Sequence, residues 1–479
     1  MPNEAKEPNA PNGPNAPNGP NGPNGPDVLD GAGATDVSDV VDGLDEFCAQ
    51  ALADHSCASL SLAVVARDEV VLARAYGLAD VAARRPATPE TVYGLASVTK
   101  AVTATAVCLA ADEGLLDLDA PIPGDYPGTA PTPRQLLRHR GGFPAFYNFH
   151  YDTGPLPIDI ADYRTLVREP GTGFEYSNLG YAELGRLLES ATGRSEGDYL
   201  RERIFAPLGL SSFGYGAACT GSAPVAERYS AGGQPYPTCF SDHPAAGAGW
   251  ASAADVARFA RTATRLLRPA TAAAMHDAVP IGGHLGYGFG RVVSHGPGPV
   301  VRSHGGGMGG IAAMMIDLPE REISVAVLSN STRKAARDAV VLRLMGILAP
   351  GFPHEHLAPV TDPGRPMTQA PGEWAGEVGT PQGGVPLRIS VLADRQVEIR
   401  LADGAPFTVL AGASEQWDLC ASAPLQLPTD DARVNSPHLA LALRAGPERL
   451  EGRAVAYKNG DLEGRLGAYL VHPCVLRAA

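Results

Sequence analysis

The chain of 479 residues is predicted to be an α/β domain over residues 36–350, followed by a smaller all-β domain over residues 372–479. In the first part, strand-like apolar runs such as Leu60–Ala66 and Ile323–Asn330 alternate with stretches of helical period such as Val37–Ala53. After a Pro-rich stretch at 351–371, read as a linker, the period becomes two. Leu387–Val391, Gln396–Leu401, Phe407–Leu410 and Leu439–Leu443 alternate or nearly so, and Asp403-Gly404 and Asn459-Gly460 mark turns. Short strands at such spacing argue for an antiparallel sheet or barrel.

Taken in order, residues 1–35 form a tail expected to be disordered, because its first thirty residues repeat Pro-Asn-Gly and Pro-Asn-Ala and hold nothing that can bury a core. Val37–Ala53 is helical by spacing, with Val40, Val41, Leu44, Phe47 and Leu52 as apolar contacts. Leu60–Ala66 and Glu69–Tyr76 read as a hairpin turning at Arg67-Asp68, after which Gly77–Asp80 leaves the sheet. Ala101–Ala110 is a small, apolar helix, buried nearly all round and ended by a capping signal at Gly114. Thr132-Pro133 opens a short helix that runs into the loop Arg138–Pro144. A helix carries Leu184, Leu187 and Leu188. Pro244–Trp250 reads as a glycine-rich loop, Ser252–Asp255 as a cap, and Gly286–Val293 as one strand. Ile311–Ile316 and Ile323–Asn330 are strands, and 332–348 is helical.

The net charge of −14, without a long acidic block, argues against a nucleic-acid or anionic-membrane surface. No apolar run is long enough to span a bilayer, and no export signal is evident, so the expected compartment is cytoplasmic. Seven scattered cysteines with no C-x-x-C pair read as free thiols without a zinc site, and no metal or cofactor is expected.

Three constellations carry chemistry. In Tyr93–Lys100, Ser97 and Lys100 are three apart, so on a helix the hydroxyl and the amine share a face. A serine hydroxyl needs a base to act as a nucleophile, and a desolvated lysine can lose its proton and serve. A lysine opening a buried helix is costly to place unless it is used or paired. Tyr176 and Asn178, two apart before a helix, either flank a nucleophile or serve as a core aromatic and a helix cap. His304-Gly305-Gly306, within a glycine-rich run between two strands, is either a strand edge supplying an oxyanion donor and binding substrate or a flexible loop with a surface histidine.

The order Ser97-x-x-Lys100, Tyr176-x-Asn178, His304-Gly305-Gly306 resembles the serine β-lactamase and penicillin-binding protein superfamily, in its class C β-lactamase, DD-peptidase and esterase branch. Leu136–Gly142 and Gly286–Gly290 support the resemblance, which covers roughly Asp36 to Ala349. It implies a β-lactamase/transpeptidase-like fold with a mixed antiparallel sheet, helices on both sides and an all-α region. By the same resemblance Ser97 is the acylated nucleophile, Lys100 its base, Tyr176 a proton shuttle, and Asn178 a holder of the substrate amide. His304 stands where many members have lysine, which disfavours efficient β-lactam hydrolysis. The C-terminal domain resembles the lipocalin-like domain of some members, among them D-aminopeptidases and penicillin-binding-protein-type thioesterases. The expected partner is a peptidyl or acyl substrate, in one version presented as a carrier-protein thioester. The first expectation is release or macrocyclisation of a nonribosomal peptide. The alternatives are a D-aminopeptidase, DD-carboxypeptidase or esterase, and a non-catalytic binding protein on the same fold.

Overall fold

The computed structural model describes residues 41–479, apart from 127, 152–158, 220–222, 297, 353, 358–363, 368, 459 and 462–463. The expected tail at 1–35, the expected helical residues 37–40, parts of the 351–371 stretch and Asn459 lie outside the described residues.

In chain order, α1 (Leu44–Asp54) precedes a hairpin, β1 (Ser59–Ala66) and β2 (Glu69–Asp80). The short strands β3 (Arg85–Pro86) and β4 (Tyr93–Gly94) lead through a 3₁₀ turn, Ala96–Val98, into α2 (Thr99–Asp112). Next come α3 (Pro133–Leu137), β5 (His150–Tyr151), α4 (Asn178–Thr192), α5 (Glu196–Leu200), β6 (Gly214–Tyr215) and β7 (Cys239–Phe240). They are followed by α6 (Pro244–Gly247), β8 (Gly249–Ala251), α7 (Ala253–Thr262) and α8 (Pro269–His276). Then come β9 (Val279–Gly282), β10 (Leu285–Tyr287), β11 (Val292–Ser294), β12 (Arg302–Met308), β13 (Ile311–Leu318), β14 (Ile323–Ser329) and α9 (Ala335–Leu348).

These elements build an antiparallel sheet in the order β3-β2-β1-β14-β13-β12-β11-β10-β9. Strand alternation sends its side chains to two cores. Leu60, Leu62 and Val64 of β1 pack with α1 and with Val340, Leu344 and Leu348 of α9. Ala63 and Val65 face Val256 and Phe259 of α7. With both faces covered, the central strands are buried along almost their whole length, as continuous apolar runs require. Beside the sheet, α2 is buried from Thr99 to Ala110 among α4, α5 and α6.

The β1–β2 turn carries Arg67 and Asp68 at φ 47° and 75°, the left-handed pair that a two-residue hairpin of matching twist demands. Thr132 and Gln135 close a reciprocal capping box on α3. Three local expectations are corrected, and the choice between strand edge and flexible loop at His304–Gly306 is decided for the strand. Gly77–Asp80 does not leave the sheet, because β2 runs on and pairs with β3. Gly286–Val293 is a hairpin of β10 and β11, turned at Gly290 with φ 69°. Pro244–Trp250 is a helical turn and a strand, and the glycines at 305–307 lie within β12.

The second domain comprises β15 (Arg365–Pro366), β16 (Gly372–Thr380), β17 (Gly383–Val391), β18 (Gln396–Leu401), β19 (Phe407–Leu410), β20 (Gly412–Ala413) and β21 (Leu419–Ala423). After α10 (Asp430–Asn435) follow β22 (His438–Ala445), β23 (Arg449–Tyr457) and β24 (Tyr469–Ala478). They form one sheet, β15-β20-β21-β22-β23-β24-β16-β17-β18-β19, curled so that β19 lies beside β21. Val385, Leu387, Ile389 and Val391 point inward along β17. The chain is thus an α/β domain followed by a curled, lipocalin-like β half-barrel.

Candidate active site

Ser97 sits in the 3₁₀ turn at the mouth of α2, and Leu95 anchors that turn by donating its N–H to Gly249 O at 2.8 Å. Ala96 has φ 44°, a left-handed conformation that costs an alanine about 1 kcal/mol. Lys100, fully buried on the first turn of α2, brings Nζ within 3.1 Å of Ser97 Oγ. Its other contacts are Asn178 Oδ1 at 2.7 Å and Ala246 O at 3.0 Å. Burial holds the amine well below its ordinary pKa. A neutral amine has two N–H donors and one lone pair. Two carbonyl oxygens can take both donors of the neutral amine, which leaves its lone pair for the Ser97 hydroxyl 3.1 Å away.

The second constellation reaches the same place. Ser177, in extended conformation, caps α4 by accepting from Gly180 N, so Asn178 is the first helical residue rather than the cap. Asn178 Oδ1 accepts from Lys100, while its Nδ2 donates to Phe146 O at 2.9 Å. The Tyr176 ring centroid lies 4.8 Å from Lys100 Nζ. Burial pushes the Tyr176 phenol well above its ordinary pKa, the nearby Tyr147 phenol adds to this, and a hydrogen bond with Ser97 acts against it.

The third constellation is split. β12 pairs with β11 only through Arg302 and Ser303 among the described residues, so Gly305–Met308 runs past the Ser97 turn as a strand edge. A Cβ at Gly306 would lie 2.1 Å from Leu95 O, so this close approach requires glycine. His304 is buried. Its Nε2 lies 2.9 Å from the Tyr287 hydroxyl and its Nδ1 2.8 Å from Gly305 O, a network assigned as Nδ1–H donating and Nε2 accepting. Burial pulls its pKa down to about 3, so it carries no charge with which to pair a carboxylate at neutral pH.

Sequence reasoning missed three participants. His139, buried at φ 53°, packs its ring 4.2 Å from that of Tyr176 and 4.7 Å from that of Tyr287, and its Nδ1 accepts from Ser177 N at 3.1 Å. Its signal lay in the Leu136–Gly142 stretch, without any indication of which way the ring turns. Tyr287, in Gly286–Gly290, orients His304. The Ala246 carbonyl carries no side-chain signal at all.

A cavity of about 210 Å³ opens beside the Ser97 turn, lined by Gly94, Phe149, Arg228, Trp250 and Met308 among others. The second domain packs against the loops next to this cavity. Tyr147 exchanges two backbone hydrogen bonds with Tyr469, at 3.1 and 2.8 Å, and Leu466 N donates to the Tyr151 hydroxyl at 2.6 Å. Asp461 accepts from the hydroxyls of Tyr236 and Thr332. Among the described residues no helix is long and apolar enough to cross a membrane.

Known proteins resemble this chain over most of its length. The Beta-lactamase family profile matches residues 44–349. A D-aminopeptidase of Brucella canis is 27% identical over 440 residues, covering 85% of this chain and 80% of that protein. The crystal structure of SurE with D-Leu shares the fold over 91% of this chain and 99% of the other, with a TM-score of 0.60 and 22% identity. The D-amino acid amidase from Ochrobactrum anthropi SV3, complexed with L-phenylalanine amide, matches over 65% and 98% of the two chains, with a TM-score of 0.54 and 24% identity. The chain therefore belongs to the β-lactamase and penicillin-binding-protein-type superfamily of serine hydrolases.

Proposed function

We propose that the protein is a serine acyl-enzyme hydrolase acting on peptidyl or aminoacyl substrates whose acyl residue has the D configuration. The observation that carries this reading is the 3.1 Å approach of a buried Lys100 amine to Ser97 Oγ, with both other lysine contacts on carbonyl oxygens. Ser97 Oγ attacks the substrate carbonyl, and its proton passes to Lys100 Nζ. A C–O bond forms, and the carbonyl electron pair moves onto oxygen. There the Ser97 N–H and the Gly305–Met308 edge supply donors. Collapse breaks the bond to the leaving amine, which takes the proton relayed from Lys100 through Tyr176. Because its pKa is raised, Tyr176 stays a phenol and acts as a relay and acid rather than as a phenolate. Water then releases the acyl group from Ser97. Asn178 holds Lys100 by accepting from its Nζ at 2.7 Å.

The D preference rests on the D-aminopeptidase relative, which spans both domains of this chain. A second reading keeps the same acyl-enzyme but releases it to the peptide's own amine, as in a penicillin-binding-protein-type thioesterase with a carrier-bound substrate. The fold likeness to SurE across both domains favours keeping it. Incubation with D- and L-aminoacyl amides, and with peptidyl thioesters ending in D or L residues, separates the readings by product. The expected result is an ester adduct by intact mass on the wild type, none on Ser97→Ala, and faster turnover of D than of L substrates. An equal adduct on Ser97→Ala sinks the assignment.

A further inference from the structure

One turn beyond Lys100 on α2, Thr103 points its hydroxyl at two acceptors. Oγ1 lies 2.8 Å from Ala245 O and 2.9 Å from Glu196 Oε1. A hydroxyl has one proton to give. If Thr103 gives it to the Glu196 carboxylate, two oxygens 2.8 Å apart, Thr103 Oγ1 and Ala245 O, face each other with no proton between them. If instead Glu196 is protonated, its acid donates to Thr103 Oγ1, Thr103 donates to Ala245 O, and each contact holds one proton. The surroundings favour that state. Glu196 is buried, and its Oε2 accepts from the Tyr215 hydroxyl on β6. A Cβ at Gly185 of α4 would lie 2.9 Å from Oε2, so the carboxyl is packed directly on that helix. No cation pairs with Glu196 among the described residues. The charged and titratable groups acting on it are Tyr215 from β6 and Glu189 from α4, whose Oε1 accepts from Glu196 N at 2.9 Å.

We infer that Glu196 is a positioning residue, a neutral carboxylic acid that frees the Thr103 hydroxyl to hold the Ala245 carbonyl and thereby fixes the adjoining Ala246 carbonyl against Lys100. The inference rests on Lys100 acting as the base of the proposed reaction. Burial raises the Glu196 pKa to about 7, so the arrangement loosens as the pH climbs through the neutral range. When Glu196 ionises, it draws the Thr103 proton to itself. Ala245 O then loses its partner, and α6 relaxes its grip on the lysine.

The test uses the full chain and a fluorophosphonate probe, with the rate of Ser97 labelling followed from pH 6 to pH 9 by intact mass. Glu196→Gln copies the protonated acid: its amide nitrogen donates to Thr103 and its oxygen accepts from Tyr215. Relative to this variant, the wild type is expected to lose roughly fivefold in labelling rate across neutrality, the worth of one hydrogen bond. In Tyr215→Phe, which lacks a donor that favours the carboxylate, that decline moves to higher pH. The same pH profile in wild type and Glu196→Gln, or an unmoved midpoint in Tyr215→Phe, overturns the inference and leaves the acyl-enzyme reading standing. No labelling of the wild type at any pH overturns both.

Discussion

Arg453 of β23 donates to Glu175 at 2.6 Å, one residue before Tyr176. Both side chains are largely buried, and the Arg453 guanidinium also lies 5.1 Å from the Trp417 ring centroid. The half-barrel therefore holds the segment that delivers the phenol. Removing one partner of a buried pair leaves the other charge uncompensated, and the remaining cation near Glu175, Arg168, is 3.8 Å away. Arg453→Met is expected to lower stability by about 2 kcal/mol and to reduce kcat more than it raises KM. Thermal unfolding and steady-state kinetics check this, and an unchanged kcat would show that the clamp does not reach the phenol.

Lys100→Met removes the amine but nearly keeps the volume. Acylation is expected to fall by about 10³-fold, the range of a lost general base. Tyr176→Phe is expected to cost about 10²-fold, with little change in stability because it deletes one hydroxyl. Single-turnover acylation, with circular dichroism to confirm folding, reads both effects. Normal acylation by Lys100→Met would remove the lysine from the mechanism.

Neighbouring glycines of β12 are expected to behave differently. An alanine methyl at Gly306 meets the backbone oxygen of Leu95 at 2.1 Å, whereas one at Gly307 meets the flexible end of Lys334, with Cε at 2.6 Å. Gly306→Ala should push the strand edge off the Ser97 turn and cost at least ~10-fold in kcat/KM, while Gly307→Ala should stay within about threefold. Kinetics on the two purified variants decide, and equal losses would contradict the placement.

Stability should depend on pH through two opposed sets of groups. His276 and His304 have pKa values lowered to about 3, and His356 and His472 to about 4, all by burial. Each favours the folded state above its ordinary value of 6.5, and this stabilisation is lost progressively as the pH falls from 6.5 toward 3. Glu196 works the other way. Raised from 4.5 to about 7, it stabilises fully below 4.5 and loses that contribution as the pH rises to 7, about 3 kcal/mol in all. Urea unfolding of wild type and Glu196→Gln should differ in slope between these limits and run parallel above pH 8. Parallel curves throughout would mean that Glu196 is ionised in the fold.

Much of the site was legible because its signals are local. Ser97 and Lys100 meet through helical spacing alone, and the chain delivers Tyr176 and Asn178 to the same lysine from a single turn. The parts that were not legible are set by long-range closure. The Ala246 carbonyl has no residue-type signature, and the buried, neutral state of His304 follows from Tyr287 and Gly305 rather than from its neighbours in sequence. In the half-barrel, β16 and β23 escaped notice because glycines interrupt their alternation. Gly376 and Gly452 pass beneath carbonyls of neighbouring strands, where a Cβ would lie 2.1 Å from Val475 O and Ala442 O. The same reason explains why Gly286–Val293 read as one strand: Gly288 lies under Met275 O and Gly290 turns the hairpin.

The twisted backbone at Ala96 also bears on how the protein fails under heat. Its local support is one 3₁₀ turn, closed by Val98 N–H to Leu95 O at 3.2 Å. Beyond that it is held by the small sheet of β4, β8 and β6 and by the bond from Leu95 to Gly249. Warming that frees those few residues lets the serine swing out of register while the two large sheets still stand, so catalysis would fade at temperatures where the circular dichroism signal remains intact.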